Sequence, residues 1–283
     1  MATFTNFARL NFNGGSTESN IVTGELLETL TLTKTAVRSS YAPRGSAAYV
    51  LSLNNSGTSP LTGLTITDDL GGYSSGGTTV YPLSYNSGTI QYYVNGVLQT
   101  APTVTAGPPM TMAGITVPAG GNVMLVYEAT ATEYAPLGSE AEITNTATAT
   151  GGGLAAPLTA QETIGMEQRA DLSISKAICP ASVSENGQLT YTFVIRNGGS
   201  AEAGAGENIA LSDVFDPRLK NITVTFNGTA WAETANYTYN TETGEFATVA
   251  GQITVPAAAY SQNSDGTWTV TPGSSTLTVT GTV

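Results

Sequence analysis

Leu30-Thr31-Leu32-Thr33-Lys34 and, 142 residues later, Leu172-Ser173-Ile174-Ser175-Lys176 are one short segment written twice. Apolar and small polar residues alternate along both, and each ends on a lysine. Alternation with a period of two puts one set of side chains on one face of a strand. The same texture continues outward through Tyr49-Val50-Leu51-Ser52-Leu53, Leu64-Thr65-Ile66-Thr67, Met124-Leu125-Val126-Tyr127, Leu189 to Ile195 and Thr276-Leu277-Thr278-Val279. Asn55-Ser56-Gly57, Asn95-Gly96, Ala119-Gly120-Gly121, Asn197-Gly198-Gly199 and Asn227-Gly228 punctuate these runs as turns. No stretch carries a helical period. The chain reads as all-β.

Short strands at this spacing predict immunoglobulin-like sandwiches, and the repeats predict two of them. Thr65-Ile66-Thr67-Asp68 returns as Ala210-Leu211-Ser212-Asp213, and Ile115-Thr116-Val117-Pro118 as Ile253-Thr254-Val255-Pro256. The first copy is expected at 27–150 and the second at 170–283, with linkers at 13–26 and 151–169. The copies are unequal. Copy one continues past Met124–Ala129 into Ile143-Thr144-Asn145-Thr146-Ala147-Thr148-Ala149, whereas copy two reaches Leu277–Val283 with no strand of that kind behind it. The absent pattern stands at the other end, where Phe4-Thr5-Asn6-Phe7-Ala8-Arg9-Leu10 matches Ile143 to Ala149. Residues 1–12 are therefore expected to be a donor strand, presenting Phe4, Asn6, Ala8, Leu10 and Phe12 on one face. A sandwich short of a strand exposes a groove and an unpaired edge, and an added strand satisfies both. Donated to a neighbour, it gives a head-to-tail contact that does not close, hence a filament. Donated to its own second domain, it gives a monomeric adhesin or stalk module.

Strand parity also groups the charged residues. Leu30, Leu32 and Lys34 share a face, as do Leu64, Ile66 and Asp68, and Ile143, Asn145 and Ala147. Copy two offers Leu172, Ile174 and Lys176 with Ile209, Leu211 and Asp213, and the N-terminal segment offers Asn6. A Lys, an Asp and an Asn on the apolar side of strands are costly to bury unless they pair. One outcome is a buried ion pair beside a hydrogen-bonded amide. The other is an isopeptide bond. Desolvation lowers a lysine pKa and raises that of a carboxyl, so a neutral amine can attack a polarised carboxamide and release ammonia.

These segments resemble the Ig-like conserved repeat of Gram-positive bacterial surface proteins, a domain of unknown function. They are also similar to the isopeptide-forming domains of pilins and adhesins. The resemblance covers both copies. It implies a Lys34–Asn145 cross-link assisted by Asp68; with the donor strand inferred from the repeats in place, Asn6 of the neighbouring subunit would likewise meet Lys176, assisted by Asp213. The resemblance places the chain outside the cell; with the donated strand, it is expected to be a structural subunit of a fibre on a cell or spore surface, with other copies of itself as partners.

Composition narrows the rest. Nine basic residues stand against 21 acidic ones, a net charge of −12, with no histidine and one cysteine. Such a surface repels nucleic acids and anionic membranes. Without histidine there is no Ser-His-Asp or Cys-His triad, and one cysteine makes no internal disulfide. No metal site and no cofactor are expected, nor an enzyme acting on an external substrate. A carbohydrate-binding or hydrolytic accessory module would need clustered aromatics or paired carboxylates, which the sequence does not group. Asp69 is expected to be a solvated turn residue and Cys179 a loop or buried thiol. The start at Met1 has neither the basic nor the apolar part of a secretory signal, so the export route stays open.

Overall fold

Alternation in the sequence becomes alternation of burial along the long strands of the computed structural model, which describes residues 2–26 and 28–283. The N-terminal arm holds β1 (Ala2–Asn6), β2 (Arg9–Phe12), β3 (Gly15–Glu18) and β4 (Val22–Leu26). Asn13-Gly14 makes the two-residue reversal, so that β2 pairs with β3 and β1 with β4, both antiparallel. At the break between the two ladders, Ser19 N donates to Ala8 O at 2.8 Å and Ala8 N to Ser19 Oγ at 2.9 Å. Residues 13–26, expected as a linker, are thus the return half of a hairpin. Their pairing is backbone to backbone, and Gly15-Ser16-Thr17-Glu18 carries too little apolar alternation to announce it. The segment expected as a lone donor strand is already paired within its own arm. Both faces of that arm meet solvent, with Phe4, Phe7, Leu10, Phe12, Ile21 and Val22 each more than half exposed.

The first core follows. Its strands are β5 (Leu30–Ala36), β6 (Ser40–Tyr41), β7 (Ser46–Asn55), β8 (Leu61–Asp68), β9 (Tyr73–Ser75), β10 (Thr78–Val80), β11 (Leu83–Tyr85), β12 (Gln91–Val94) and β13 (Val97–Gln99). β14 (Thr103–Thr105), β15 (Met110–Val117), β16 (Asn122–Ala131), β17 (Glu142–Gly151) and β18 (Leu158–Met166) complete it. One sheet runs β13-β12-β16-β7-β5 and the other β14-β15-β8-β17-β18-β6. Between them lie Tyr49, Leu51, Leu53, Ile66, Leu125 and Tyr127, all fully buried. β17 buries Ile143, Asn145, Ala147 and Ala149, as its parity requires.

β18 corrects a second boundary. Residues 151–169, expected as a linker, contain a nine-residue strand that pairs with β17 from Leu158 opposite Ala149 to Gly165 opposite Glu142. Only Ile164 and Met166 of it are buried, which leaves Leu158-Thr-Ala-Gln-Glu without a readable apolar face. Gly151, Gly152 and Gly153, all at positive φ, turn the chain between the two strands.

The second core repeats the first incompletely. It comprises β19 (Leu172–Cys179), β20 (Gln188–Asn197), β21 (Ser212–Val214), β22 (Lys220–Phe226), β23 (Thr229–Trp231), β24 (Tyr237–Tyr239), β25 (Glu245–Thr248), β26 (Ala259–Gln262), β27 (Trp268–Thr271) and β28 (Gly273–Thr282). A five-stranded sheet, β19-β20-β28-β22-β23, faces a three-stranded one, β21-β25-β24. In the first core β8 is paired on both sides, by β15 and β17. Its counterpart β21 is paired only by β25 among the described residues. Among the described residues no strand occupies the places of β17 and β18. The whole of β19 is consequently exposed, Leu172, Ile174 and Ile178 included.

Candidate functional site: two Lys-Asp centres, one sealed and one open

In the first core, β5 brings Lys34, β8 ends on Asp68, and β17 lays Asn145 across them. All three are buried. Lys34 Nζ lies 2.7 Å from Asp68 Oδ2. Two tyrosines complete the centre. Tyr127 on β16 donates its hydroxyl proton to the same Asp68 oxygen at 2.5 Å, and that hydroxyl accepts from Asn145 Nδ2 at 3.3 Å. Tyr49 on β7 places its ring 5.1 Å beneath Lys34 Nζ. Leu70 N donates to Asp68 Oδ1 at 3.1 Å, fixing the other carboxylate oxygen. Asn145 Oδ1 and the Tyr49 hydroxyl are buried without a hydrogen-bond partner. An unpaired carbonyl in such a place costs about 1–3 kcal/mol.

Burial pulls the Lys34 pKa below its ordinary value, against the opposing attraction of Asp68. It pushes Tyr127 well above the usual phenol range, helped by the Asp68 charge, and Tyr49 in the same direction. Burial thus loosens the hold on the Lys34 proton in a centre that also buries a carboxamide. Asp69, expected as a solvated turn residue, does more than cap the turn. Its Oδ1 accepts from Gly71 N at 2.9 Å and from Thr146 N at 2.8 Å, pinning the strand that carries Asn145.

The second core has Lys176 on β19 and Asp213 on β21, joined as an ion pair. Here the lysine and aspartate side chains are 40% and 20% exposed, against 0% for both in the first core. The Lys176 ammonium sits over Tyr191 at 4.4 Å, with Phe193 at 5.5 Å and Phe215 at 5.6 Å. Register explains the change of company. Tyr127 stands opposite Tyr49 in the first core, whereas Val279 stands opposite Tyr191 in the second. Among the described residues no asparagine is bonded to the pair. Asn6 lies on the arm, opposite Val22. Beside the ion pair runs an apolar groove of about 320 Å³, lined by Leu172, Ile174, Ile195, Ile209, Leu211 and Ile253. In the first core β17 pairs with β8 and β18 packs on β5 at the equivalent place.

Sequence reasoning thus found Lys34, Asp68 and Asn145 together, and Lys176 with Asp213. It missed Tyr49, Tyr127 and Phe215. The first two were detectable by parity, since Tyr49 shares a face with Leu51 and Leu53, and Tyr127 with Leu125 and Ala129. It also treated Asn55 and Asn197 only as turn formers. Both are buried loop anchors, Asn55 donating to Ser59 O at 2.9 Å and Asn197 to Ala201 O at 2.8 Å. Cys179 is exposed. Among the described residues no cluster of acidic or cysteine side chains could hold a metal ion.

Fold and site define a class: an all-β chain with two versions of one sandwich, sealed around a Lys-Asp-Asn centre in one and open at that centre in the other. No family model matches the chain, and no curated protein does. Among solved structures it is similar to BcpA, the major pilin subunit of Bacillus cereus, with TM-score 0.36, 12% identity, and coverage of 96% of this chain and 73% of the pilin. The pilus backbone RrgB of Streptococcus pneumoniae gives TM-score 0.34 at 12% identity, over 83% of this chain and 53% of that one. The collagen-binding domain of a Staphylococcus aureus adhesin gives 0.31 at 14% identity, over 50% and 99%. At these scores the likenesses carry no functional argument, which rests on the chain's own geometry.

Proposed function

We propose that the protein is a structural subunit of an extracellular fibre, on a cell or spore surface, that polymerises by inserting its N-terminal hairpin into the second domain of a neighbouring copy. One observation carries this reading. The exposed hairpin 2–26 repeats, in its Phe4-Thr-Asn6-Phe-Ala8 segment, the strand that covers the Lys-Asp centre of the first core, and the second core has that centre uncovered beside the unpaired edge of β21. Only residues 27–29 join the arm to β5, about 10–14 Å of extended chain. The ten-residue strands of the first domain are each about 33 Å long, so the neighbour is the reachable acceptor. Docked in the register of β17, Asn6 meets Lys176 and Asp213. Nζ then bonds to Asn6 Cγ, the Cγ–Nδ2 bond breaks, and ammonia leaves. Lys34 and Asn145 react in the same way within the subunit, with Asp68 assisting.

Assembled material is boiled in SDS with reductant and run on a gel. The expected result is a ladder of multimers that Cys179 cannot explain, with a tryptic peptide joining Lys176 to Asn6. Fibres that dissolve to monomer would leave donation without the covalent joint, and a protein monomeric before boiling would sink the reading altogether.

A further inference from the structure

We infer that Tyr127 is a catalytic residue of the Lys34–Asn145 cross-link, carrying the proton that lets the amide nitrogen leave. The inference rests on the isopeptide reading above and goes past its three residues. Asn145 Nδ2, the atom that must depart, has the Tyr127 hydroxyl at 3.3 Å, and the same hydroxyl bonds Asp68 Oδ2, which also holds Lys34 Nζ. Amine, carboxylate, phenol and leaving nitrogen therefore form one continuous hydrogen-bonded path inside a water-excluded core.

The path balances the reaction. Lys34 Nζ passes one proton to Asp68, leaving a neutral amine and a carboxylic acid. The amine attacks Asn145 Cγ and must shed a further proton once bonded. Tyr127 gives its hydroxyl proton to Nδ2 as the Cγ–Nδ2 bond breaks, and Asp68 returns a proton to the phenolate. The proton shed by Nζ replaces the one Asp68 gave up. The products are a secondary amide and ammonia, which leaves with the two hydrogens of Nδ2 and the one delivered by Tyr127. No water or metal takes part. An ordinary buried tyrosine would be satisfied by one partner. This one bridges the two groups whose protons must be exchanged, while Asn145 Oδ1 is left unpaired.

The second domain is an internal comparison. Its corresponding position is Val279, opposite Tyr191 as Tyr127 is opposite Tyr49. A centre completed there by Asn6 would have lysine, aspartate and asparagine without the phenol, and would form its bond more slowly than the first domain.

The test is the intact mass of freshly purified protein, followed over days, for wild type, Tyr127→Phe and Val279→Tyr. The phenylalanine keeps the ring and removes only the relay. Wild type is expected to be about 17 Da light, one ammonia, at the earliest time. Tyr127→Phe is expected to start at the unmodified mass and mature at least about 100-fold more slowly, the lower range for loss of a general acid. Val279→Tyr is expected to speed formation of the Lys176–Asn6 peptide in assembling material. If Tyr127→Phe melts like wild type and is already fully light when purified, the role of Tyr127 is overturned while the bond stands. If wild type itself has the unmodified mass, both the bond and the relay fall.

Discussion

Lys34 and Lys176 occupy the same place in two copies of one strand and differ first in what lies over them. Over Lys34 is Asn145 on β17, and burial is complete; over Lys176 is solvent. Removing Asp68 should therefore be costly. In the bond-free Asn145→Ala background, Asp68→Ala leaves a buried lysine without its partner and is expected to cost the first domain about 3–5 kcal/mol, read as an earlier denaturant midpoint; in the wild-type background it is expected to leave the mass unmodified. Asp213→Ala in an unassembled subunit should change the second domain's midpoint far less, because that pair is open to water. The lysine also predicts a pH effect. Its folded pKa is depressed, so in the bond-free Asn145→Ala variant the unfolded chain binds more protons than the folded one below the ordinary lysine value. First-domain stability of that variant should rise as the pH climbs toward the ordinary lysine value, relative to a cross-linked wild type, whose lysine would not titrate. Tyr49 and Tyr127, both raised, stay protonated over this rise, and Asp68, Asp69 and Glu162 also face the lysine. Parallel stability curves would show that Lys34 is not held neutral.

The arm is the element on which assembly turns, and it was half legible. Alternation in Phe4-Thr-Asn6-Phe-Ala8 exposed the strand and its likeness to β17, because those residues must fill a core when docked. The return strand was hidden, as was β18, because each lies at a sheet margin where few side chains are buried and polar residues are tolerated. The three charged or amide residues of the centre were legible for the opposite reason. Strand parity forces their side chains inward, where a Lys or Asp is conspicuous. Deleting residues 2–26 should abolish polymer without shifting the melting of the first domain, in whose core no arm residue is found among the described side chains. Amide exchange at Ser212, Asp213 and Val214 offers a second readout. Their outer edge should exchange quickly in the deleted subunit and slow markedly when a 1–26 peptide is added. Equal exchange with and without peptide would show that the hairpin does not add to β21.

At the scale of the whole molecule, the two joints of such a fibre cannot be alike. Inside a subunit, the β26–β27 hairpin of the second domain reaches back to the first. Gln262 Nε2 donates to the Tyr73 hydroxyl at 3.0 Å, Trp268 N donates to Glu133 O at 3.2 Å, and Tyr260 packs against the first core. The connecting residues are tied as well, Ser200 Oγ donating to Glu167 O at 2.7 Å. The joint formed by a donated hairpin would set the first domain of one copy against the second domain of another. There the first domain has only Pro118-Ala-Gly-Gly-Asn122 where the second has its reaching hairpin. The surface that receives it is missing too, since the chain passes from β21 to β22 through residues 215–219 with no counterpart of β9 and β10. Fibres traced in electron micrographs should therefore be stiff within each subunit and bend between subunits, giving a bend at every second joint. Replacing residues 259–271 with Gly-Gly should make both joints bend alike, and scattering from an arm-deleted monomer with the same replacement should show a broader spread of sizes than its parent. Equal bending at both joints of unaltered fibres would mean that the clamp does not govern stiffness. An unchanged scattering profile would locate the rigidity in residues 167–171 instead.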